Sequence, residues 1–173
     1  IYNGGTKLSY LSINGRVREL IYTYYNYVNR NGQTKEIPAY CVNPNTKGVI
    51  VNSPNNPTGQ IYTRKELQDM AEVLNSASKK YGRTIYLIAD EPYRYLNYDN
   101  CEVPSVFSVY DASLVIGSFS KTLSLAGERI GYVAVNPALE GRDELLNGII
   151  MTNRILGFVN APAVAQQILI SSI

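Results

Sequence analysis

The sequence contains no histidine among its 173 residues, and this absence removes several kinds of catalytic site. Serine or cysteine nucleophiles activated by histidine, zinc held by imidazole, and haem bound through a proximal histidine all need this side chain. Tryptophan is also absent, whereas tyrosine is frequent, with 15 residues. Any chemistry must therefore depend on lysine, aspartate, tyrosine, serine or a bound cofactor.

Cysteines, long apolar runs and charge of one sign are also scarce. Cys41 and Cys101 are far apart in the chain and form no CxxC pair, which leaves neither a zinc motif nor a disulfide framework. No apolar run approaches the ~20 residues that span a bilayer, and residues 1–7 lack the pattern of a secretory signal. The net charge is +2 and the basic residues are scattered, so we expect neither nucleic acid nor membrane as a partner. These features predict a cytoplasmic protein that acts on a small molecule.

The order of the apolar runs predicts one main domain of the α/β class. Four short runs rich in β-branched or aromatic residues are typical of strands: residues 48–52, 85–89, 114–117 and 131–135. Continuous apolar runs of this kind suit strands that are covered on both sides. We therefore expect a mostly parallel mixed sheet with helices on both faces.

Residues 63–81, between the first two predicted strands, have apolar residues at helical spacing and a capping box at Thr63 and Glu66. Two further helices are expected near the end of the chain, at 143–156 and from 162 onward. The whole chain divides into a tyrosine-rich segment, 1–46, which we do not assign to the sheet, and a core domain, 47–173. Within the first segment, aromatic and polar residues alternate around Asn31 and Gly32, and this pattern predicts a hairpin.

The first candidate motif is SPNNPTG, residues 53–59, directly after the first strand of the core. Its asparagine and proline residues can form a turn that presents the amide of Asn56 to a cleft. Taken alone, the motif favours an ordinary tight turn, because these residue types are the usual ones in turns. Its position at the carboxyl end of a strand, where open α/β sheets bind ligands, makes it a candidate.

The second motif is ADEPY, residues 89–93, at the end of the next strand. Asp90 follows an apolar run, and a carboxylate there is costly to desolvate without a cationic partner or hydrogen bonds. A helix-capping aspartate is the competing explanation. Tyr93 is close enough in the chain to donate its phenol proton to a ligand in the same space.

The third motif is GSFSK, residues 117–121, followed by GERIG, residues 127–131. Lys121 is a suitable residue for Schiff-base chemistry if its amine is partly desolvated, although an isolated lysine is usually a solvated surface charge. Ser118, Ser120 and Arg129 together suit a phosphate dianion. The glycines of the second run allow close approach of the backbone.

Taken together, SPNNPTG, ADEPY and SFSKTLSLAGERIGY resemble the successive signature segments of the class I/II aminotransferases, which are fold-type I pyridoxal-phosphate enzymes. The resemblance covers residue 47 to the end of the chain. It implies part of the three-layer α/β large domain of that family. It also implies pyridoxal 5'-phosphate as the cofactor, and an amino acid and a 2-oxo acid as substrates.

By this resemblance, Lys121 would hold the cofactor as a Schiff base and move a proton at the substrate α-carbon. Asp90 would pair with the ring nitrogen of the cofactor, because an adjacent carboxylate keeps that nitrogen protonated. Tyr93 and Asn56 would hydrogen-bond the phenolic oxygen. These roles make Lys121, Asp90 and Tyr93 the expected catalytic residues.

The same resemblance implies that Ser118, Ser120 and Arg129 would hold the phosphate, and that the full-length enzyme is a homodimer. The chain also departs from the family pattern. Family members are typically more than twice as long, with an upstream glycine-rich phosphate turn and a downstream arginine for the substrate carboxylate. We find no convincing counterpart of either in the 173 residues.

Three alternatives stay open. The chain could be a truncated or non-catalytic module that binds pyridoxal phosphate. It could belong to the lyase or synthase branches of the same superfamily, although some of these tend to show a histidine after the Asp-Glu pair, where this chain has Pro92 and Tyr93. A transcription regulator is the third alternative, and the basic winged helix-turn-helix of such regulators is not visible in the sequence.

Overall fold

The computed structural model describes residues 7–13, 16–22 and 42–172. The described strands form two separate sheets. The smaller sheet is a hairpin of β1 (Lys7–Ile13) and β2 (Arg16–Tyr22), which run antiparallel. The hairpin predicted around Asn31 and Gly32 lies outside the described residues and stays a prediction.

The main sheet has four strands in the order of the chain: β3 (Gly48–Asn52), β4 (Tyr86–Asp90), β5 (Ser113–Ser118) and β6 (Gly131–Val135). The first three are parallel and the fourth is antiparallel to its neighbour. The predicted strands agree with these bounds to within one residue at each end. The mostly parallel mixed α/β sheet is therefore confirmed, and parallel pairing brings the carboxyl ends of β3, β4 and β5 to one edge.

Helix α1 (Arg64–Tyr81) packs against one face of this sheet. The predicted capping box is present, since Thr63 and Glu66 bond each other reciprocally, and Gly82 ends the helix in a left-handed conformation. The buried side of α1 consists of Leu67, Met70, Ala71, Leu74 and Ala77. These side chains form one core with Val51, Leu87, Ala89 and Val115 of the strands. Burial of each large apolar side chain contributes about 1.5–3 kcal/mol.

The opposite face of the sheet carries the alternate residues of each strand. One row across this face consists of Asn52, Asp90, Ile116 and Val133, which are successive partners in the registers. Ile116 and Val133 are 39% and 40% exposed. The row is therefore an accessible mixture of polar and apolar groups at the edge where the candidate motifs begin.

The other helices of the described residues come after β5 in the chain. α2 (Phe119–Thr122) is a single turn directly after β5. The bounds of α3 (Arg142–Ile155) and the start of α4 (Ala163–Ser172) agree with those of the two predicted helices to within one residue. No helix in the described part of the chain has the length and apolar character needed to cross a membrane.

Candidate functional site

The three motifs predicted from the sequence lie at one edge of the main sheet. β3, β4 and β5 end at Asn52, Asp90 and Ser118, and all three strands run in the same direction. Each motif begins within one residue of one of these ends. This is the edge at which open α/β sheets bind ligands.

The turn after β3 presents the predicted amide, and its neighbour Asn55 builds the turn. Asn55 is 7% exposed; its carbonyl accepts from the Gly59 N–H at 2.7 Å and its Oδ1 accepts from the Thr58 hydroxyl at 2.9 Å. Gly59 has a φ of 71°, which favours glycine. Asn56 is exposed beyond this framework, so the ordinary turn and the presented amide are both observed.

Asn56 and Tyr93 are brought together from two different strand ends. Asn56 Nδ2 donates to the Tyr93 hydroxyl oxygen at 3.1 Å, although the residues are 37 positions apart. The phenol proton of Tyr93 and the second amide proton of Asn56 are both left for a further acceptor. Two donors this close together can bind one ligand oxygen.

Asp90 is half-buried, and desolvation raises the pKa of its carboxyl group above the ordinary value. Asn52 Nδ2 donates to Asp90 Oδ2 at 3.2 Å and to the Asp90 carbonyl at 3.0 Å. Residues 92–95 form a turn and no helix starts directly after Asp90, so the helix-capping explanation is wrong. A cationic group beside this carboxylate would offset the free-energy cost of its desolvation.

The sequence analysis missed an ion pair that supports Tyr93. Glu91 is 8% exposed, and its Oε2 accepts from Arg94 Nη1 at 3.0 Å. The second guanidinium nitrogen of Arg94 donates to the Val103 carbonyl at 2.7 Å. Burial raises the pKa of Glu91, and the nearby charge of Arg94 acts in the opposite direction. The pair fixes both sides of the turn that carries Tyr93, and the signal was the Glu-x-x-Arg spacing.

Ser118 and Ser120 lie together at the start of α2. Ser118 Oγ is 2.9 Å from Ser120 Oγ and also accepts from the Ser120 backbone N–H at 3.2 Å. Lys121 follows within the same turn and is exposed, so the described residues do not supply the partly desolvated environment that favours Schiff-base chemistry at an amine. The serine hydroxyls and the lysine nevertheless share one short segment.

Arg129 is placed at the same edge by the pairing of β5 with β6. Ser118 is the partner of Gly131, two residues after Arg129. Arg129 adopts a left-handed backbone with a φ of 54°, and its Nη1 donates to the Ala126 carbonyl at 2.9 Å. The structure thus brings the backbone of Arg129 to the serines, while the recorded guanidinium bond is to its own loop.

The chain belongs to the family described as aminotransferase class I and II, which it matches over residues 19–173. This match begins before residue 47, the start of the resemblance that the motifs carried. The division at residue 46 is not tested by it and stays a prediction.

Individual relatives agree with this assignment. An amino transferase structure from Eubacterium rectale is 45% identical with a TM-score of 0.72, and the match covers 74% of this chain and 32% of that one. A PLP-dependent aminotransferase structure from Streptococcus suis is 31% identical with a TM-score of 0.58, over 75% and 31% of the two chains. A probable aspartate/prephenate aminotransferase of Aquifex aeolicus is 40% identical over 97 residues, which are 54% of this chain and 23% of the relative. The chain therefore spans between about a quarter and a third of the length of these relatives.

Membership of this family implies pyridoxal phosphate as the cofactor, and the residues at the sheet edge fit it. The donor pair of Asn56 and Tyr93 suits a phenolic oxygen, and the desolvated carboxylate of Asp90 suits a protonated ring nitrogen. The hydroxyls of Ser118 and Ser120 suit a phosphate.

Proposed function

We propose that this chain is the cofactor-binding part of a pyridoxal-phosphate-dependent aminotransferase, an enzyme that transfers an amino group from an amino acid to a 2-oxo acid. The 3.1 Å hydrogen bond between Asn56 and Tyr93 supports this most directly. It joins two donors from separate motifs at the edge that also holds Asp90 and the lysine segment. A cytoplasmic location and a homodimeric full-length enzyme belong to the same proposal.

When bound, pyridoxal phosphate supplies an electron sink that stabilises negative charge at the substrate α-carbon. Asp90 would hold the proton on the ring nitrogen, because a carboxylate favours the cationic form of a neighbouring base. Asn56 Nδ2 and the Tyr93 hydroxyl would donate to the phenolic oxygen and orient the ring. Lys121 Nζ would bind the aldehyde carbon and move the proton of the substrate α-carbon.

Ser118 and Ser120 would bind the phosphate through their hydroxyls, and Arg129 would add a guanidinium to the same group. Arg129 would have to exchange its bond to the Ala126 carbonyl for a phosphate oxygen. A charged acceptor makes the stronger hydrogen bond, so this exchange is favourable.

A second candidate is a module that binds the cofactor without turnover. The chain spans 32% of the Eubacterium rectale structure that it matches, and Lys121 is exposed. Both observations are compatible with cofactor binding that is not followed by transfer.

The first experiment is to mix the purified chain with pyridoxal phosphate, reduce it with borohydride and map the modified peptide. We expect the reduced adduct on Lys121, its loss in Lys121→Ala, and its retention in Lys79→Ala, an exposed lysine of α1. Modification spread over surface lysines, in a chain shown to be folded, would contradict cofactor binding. Amino transfer by the loaded chain, with aspartate as the first donor to test, then separates the enzyme from the binding module.

A further inference from the structure

Asn52 is the last residue of β3, and its side chain joins the groups that would contact two different positions of the cofactor ring. We propose that Asn52 is a positioning residue, an inference that rests on the proposed function. Its amide sets the orientation of the Asp90 carboxylate toward the ring nitrogen, and it also fixes the turn that carries Asn56.

All the hydrogen-bonding capacity of this amide is used. Nδ2 donates to the Asp90 carbonyl at 3.0 Å and to Asp90 Oδ2 at 3.2 Å. Oδ1 accepts from the Asn56 backbone N–H at 2.7 Å and from Asn55 Nδ2 at 3.3 Å. Two donors and two acceptors are the full complement of a primary amide. Such a side chain is held in one orientation from both ends.

The partners also determine which way round the amide lies. A backbone N–H requires an acceptor, so the oxygen of Asn52 must face Asn56, and a carboxylate and a carbonyl require donors, so the nitrogen must face Asp90. Rotation of the amide by 180° would oppose like groups at both ends. The arrangement therefore follows from the chemistry of the partners.

Asn52 is the polar neighbour of Asp90 across the sheet. In the register, Asp90 lies between Asn52 on β3 and Ile116 on β5, and Ile116 can form no hydrogen bond through its side chain. Among the described residues, Asn52 is the donor to the Asp90 carboxylate, and it binds Oδ2 alone. Oδ1 is thereby left for a cationic partner.

The test compares two probes, pyridoxal phosphate and its 1-deaza analogue, in which a C–H replaces the ring nitrogen. The analogue keeps the aldehyde, the phenolic oxygen and the phosphate but offers Asp90 no ring N–H. In the 173-residue chain, the dissociation constant of the analogue is divided by that of pyridoxal phosphate. This ratio measures how much the ring nitrogen contributes to binding.

We expect Asn52→Leu, which is similar in size and has no polar atoms, to reduce this ratio roughly tenfold, because a hydrogen bond to a charged group is lost. Asn75→Leu, at an exposed position of α1, is the matched control and leaves the ratio unchanged. Thermal unfolding of each cofactor-free variant is measured alongside. If Asn52→Leu does not fold, Asn52→Ser tests the same ratio with a smaller change.

The outcomes separate the two proposals. If the unmodified chain binds neither probe, the proposed function fails and the role of Asn52 fails with it. If the chain binds pyridoxal phosphate and the ratio of the two dissociation constants is the same in the Asn52 variants as in the unmodified chain, Asn52 does not orient Asp90 toward the ring nitrogen, and only this inference is overturned. A selective loss of pyridoxal phosphate supports both.

Discussion

At the scale of single residues, Asp90 is the candidate site residue whose burial carries a clear cost to the fold. Its carboxylate is half-buried beside Ile116, and one amide hydrogen bond does not offset the lost water, since burial raises its pKa. A cationic partner or further hydrogen-bond donors to the carboxylate would lower that pKa instead. The burial of Asp90 is therefore less costly when a cationic group is bound beside it than in the cofactor-free chain.

This cost predicts that Asp90→Asn stabilises the cofactor-free chain at neutral pH. A carboxyl group whose folded pKa is raised binds its proton more tightly when folded, so its contribution to stability is lost as pH rises through the ordinary pKa of ~3.9 toward the raised value. Unfolding curves of wild type and Asp90→Asn should therefore coincide below that range and separate above it. Chemical denaturation at several pH values measures the difference.

The control for this prediction is Asp99→Asn, which changes an exposed carboxylate on a loop and should leave stability the same at every pH. Equal stability of Asp90→Asn and wild type at neutral pH would show that the carboxylate is not desolvated in solution. The same Asp90→Asn variant should bind pyridoxal phosphate more weakly, since a neutral amide does not favour a protonated ring nitrogen.

At the scale of elements, the sequence predicts the strands and helices that local residue patterns determine. The strands of the main sheet follow from β-branched runs, and α1 follows from its capping box and from Gly82. The β1–β2 hairpin was not predicted, although Asn14 and Gly15, the residues between its strands, are a favoured pair for a two-residue turn. The sequence therefore contains a local signal for this hairpin as well.

Asn52 could not have been found in the same way. In the sequence it is a polar residue at the end of a strand, and its importance arises from the register that pairs it with Asp90, 38 positions later. The same holds for the contact of Asn56 with Tyr93. Motifs therefore indicate which residues reach the sheet edge, whereas the connections between them depend on pairing over long stretches of chain.

Two glycines of the GERIG run give a matched prediction about the β5–β6 pair. A Cβ on Gly131 would lie 2.5 Å from the Gly117 carbonyl oxygen, a backbone atom that can move only if the strands separate, whereas a Cβ on Gly127 meets nothing within 4 Å. The expected close approach is thus present at Gly131 and absent at Gly127. We expect Gly131→Ala to lower the free energy of unfolding by about 1–3 kcal/mol.

Gly127→Ala should leave that free energy nearly unchanged, because this glycine has open space and no positive φ. Urea unfolding of the two variants under one set of conditions tests the contrast. Similar losses in both would mean that the loop before β6, and not the contact with β5, is sensitive to side chains.

At the scale of the whole molecule, large apolar side chains are exposed on α3, on α4 and in the segment between them. Ile155 is 77% exposed, Phe158 70%, Val164 69% and Ile170 71%. Large apolar patches on soluble proteins mark interaction surfaces or lead to association. This chain should therefore associate with itself as its concentration rises.

The expected result in light scattering coupled to size-exclusion chromatography is an average mass that rises with concentration above the 19.2 kDa of one chain. Replacing Ile155, Phe158 and Ile170 together with serine should return the mass toward that of one chain, because the apolar area that drives association is removed. Tyr98→Ser removes an aromatic ring that is 88% exposed in the loop after β4, outside these helices, and should have little effect. A constant monomer mass for the unmodified chain would contradict the prediction. Association abolished equally by Tyr98→Ser would place the contact surface beside the β4 end of the sheet, close to the candidate site.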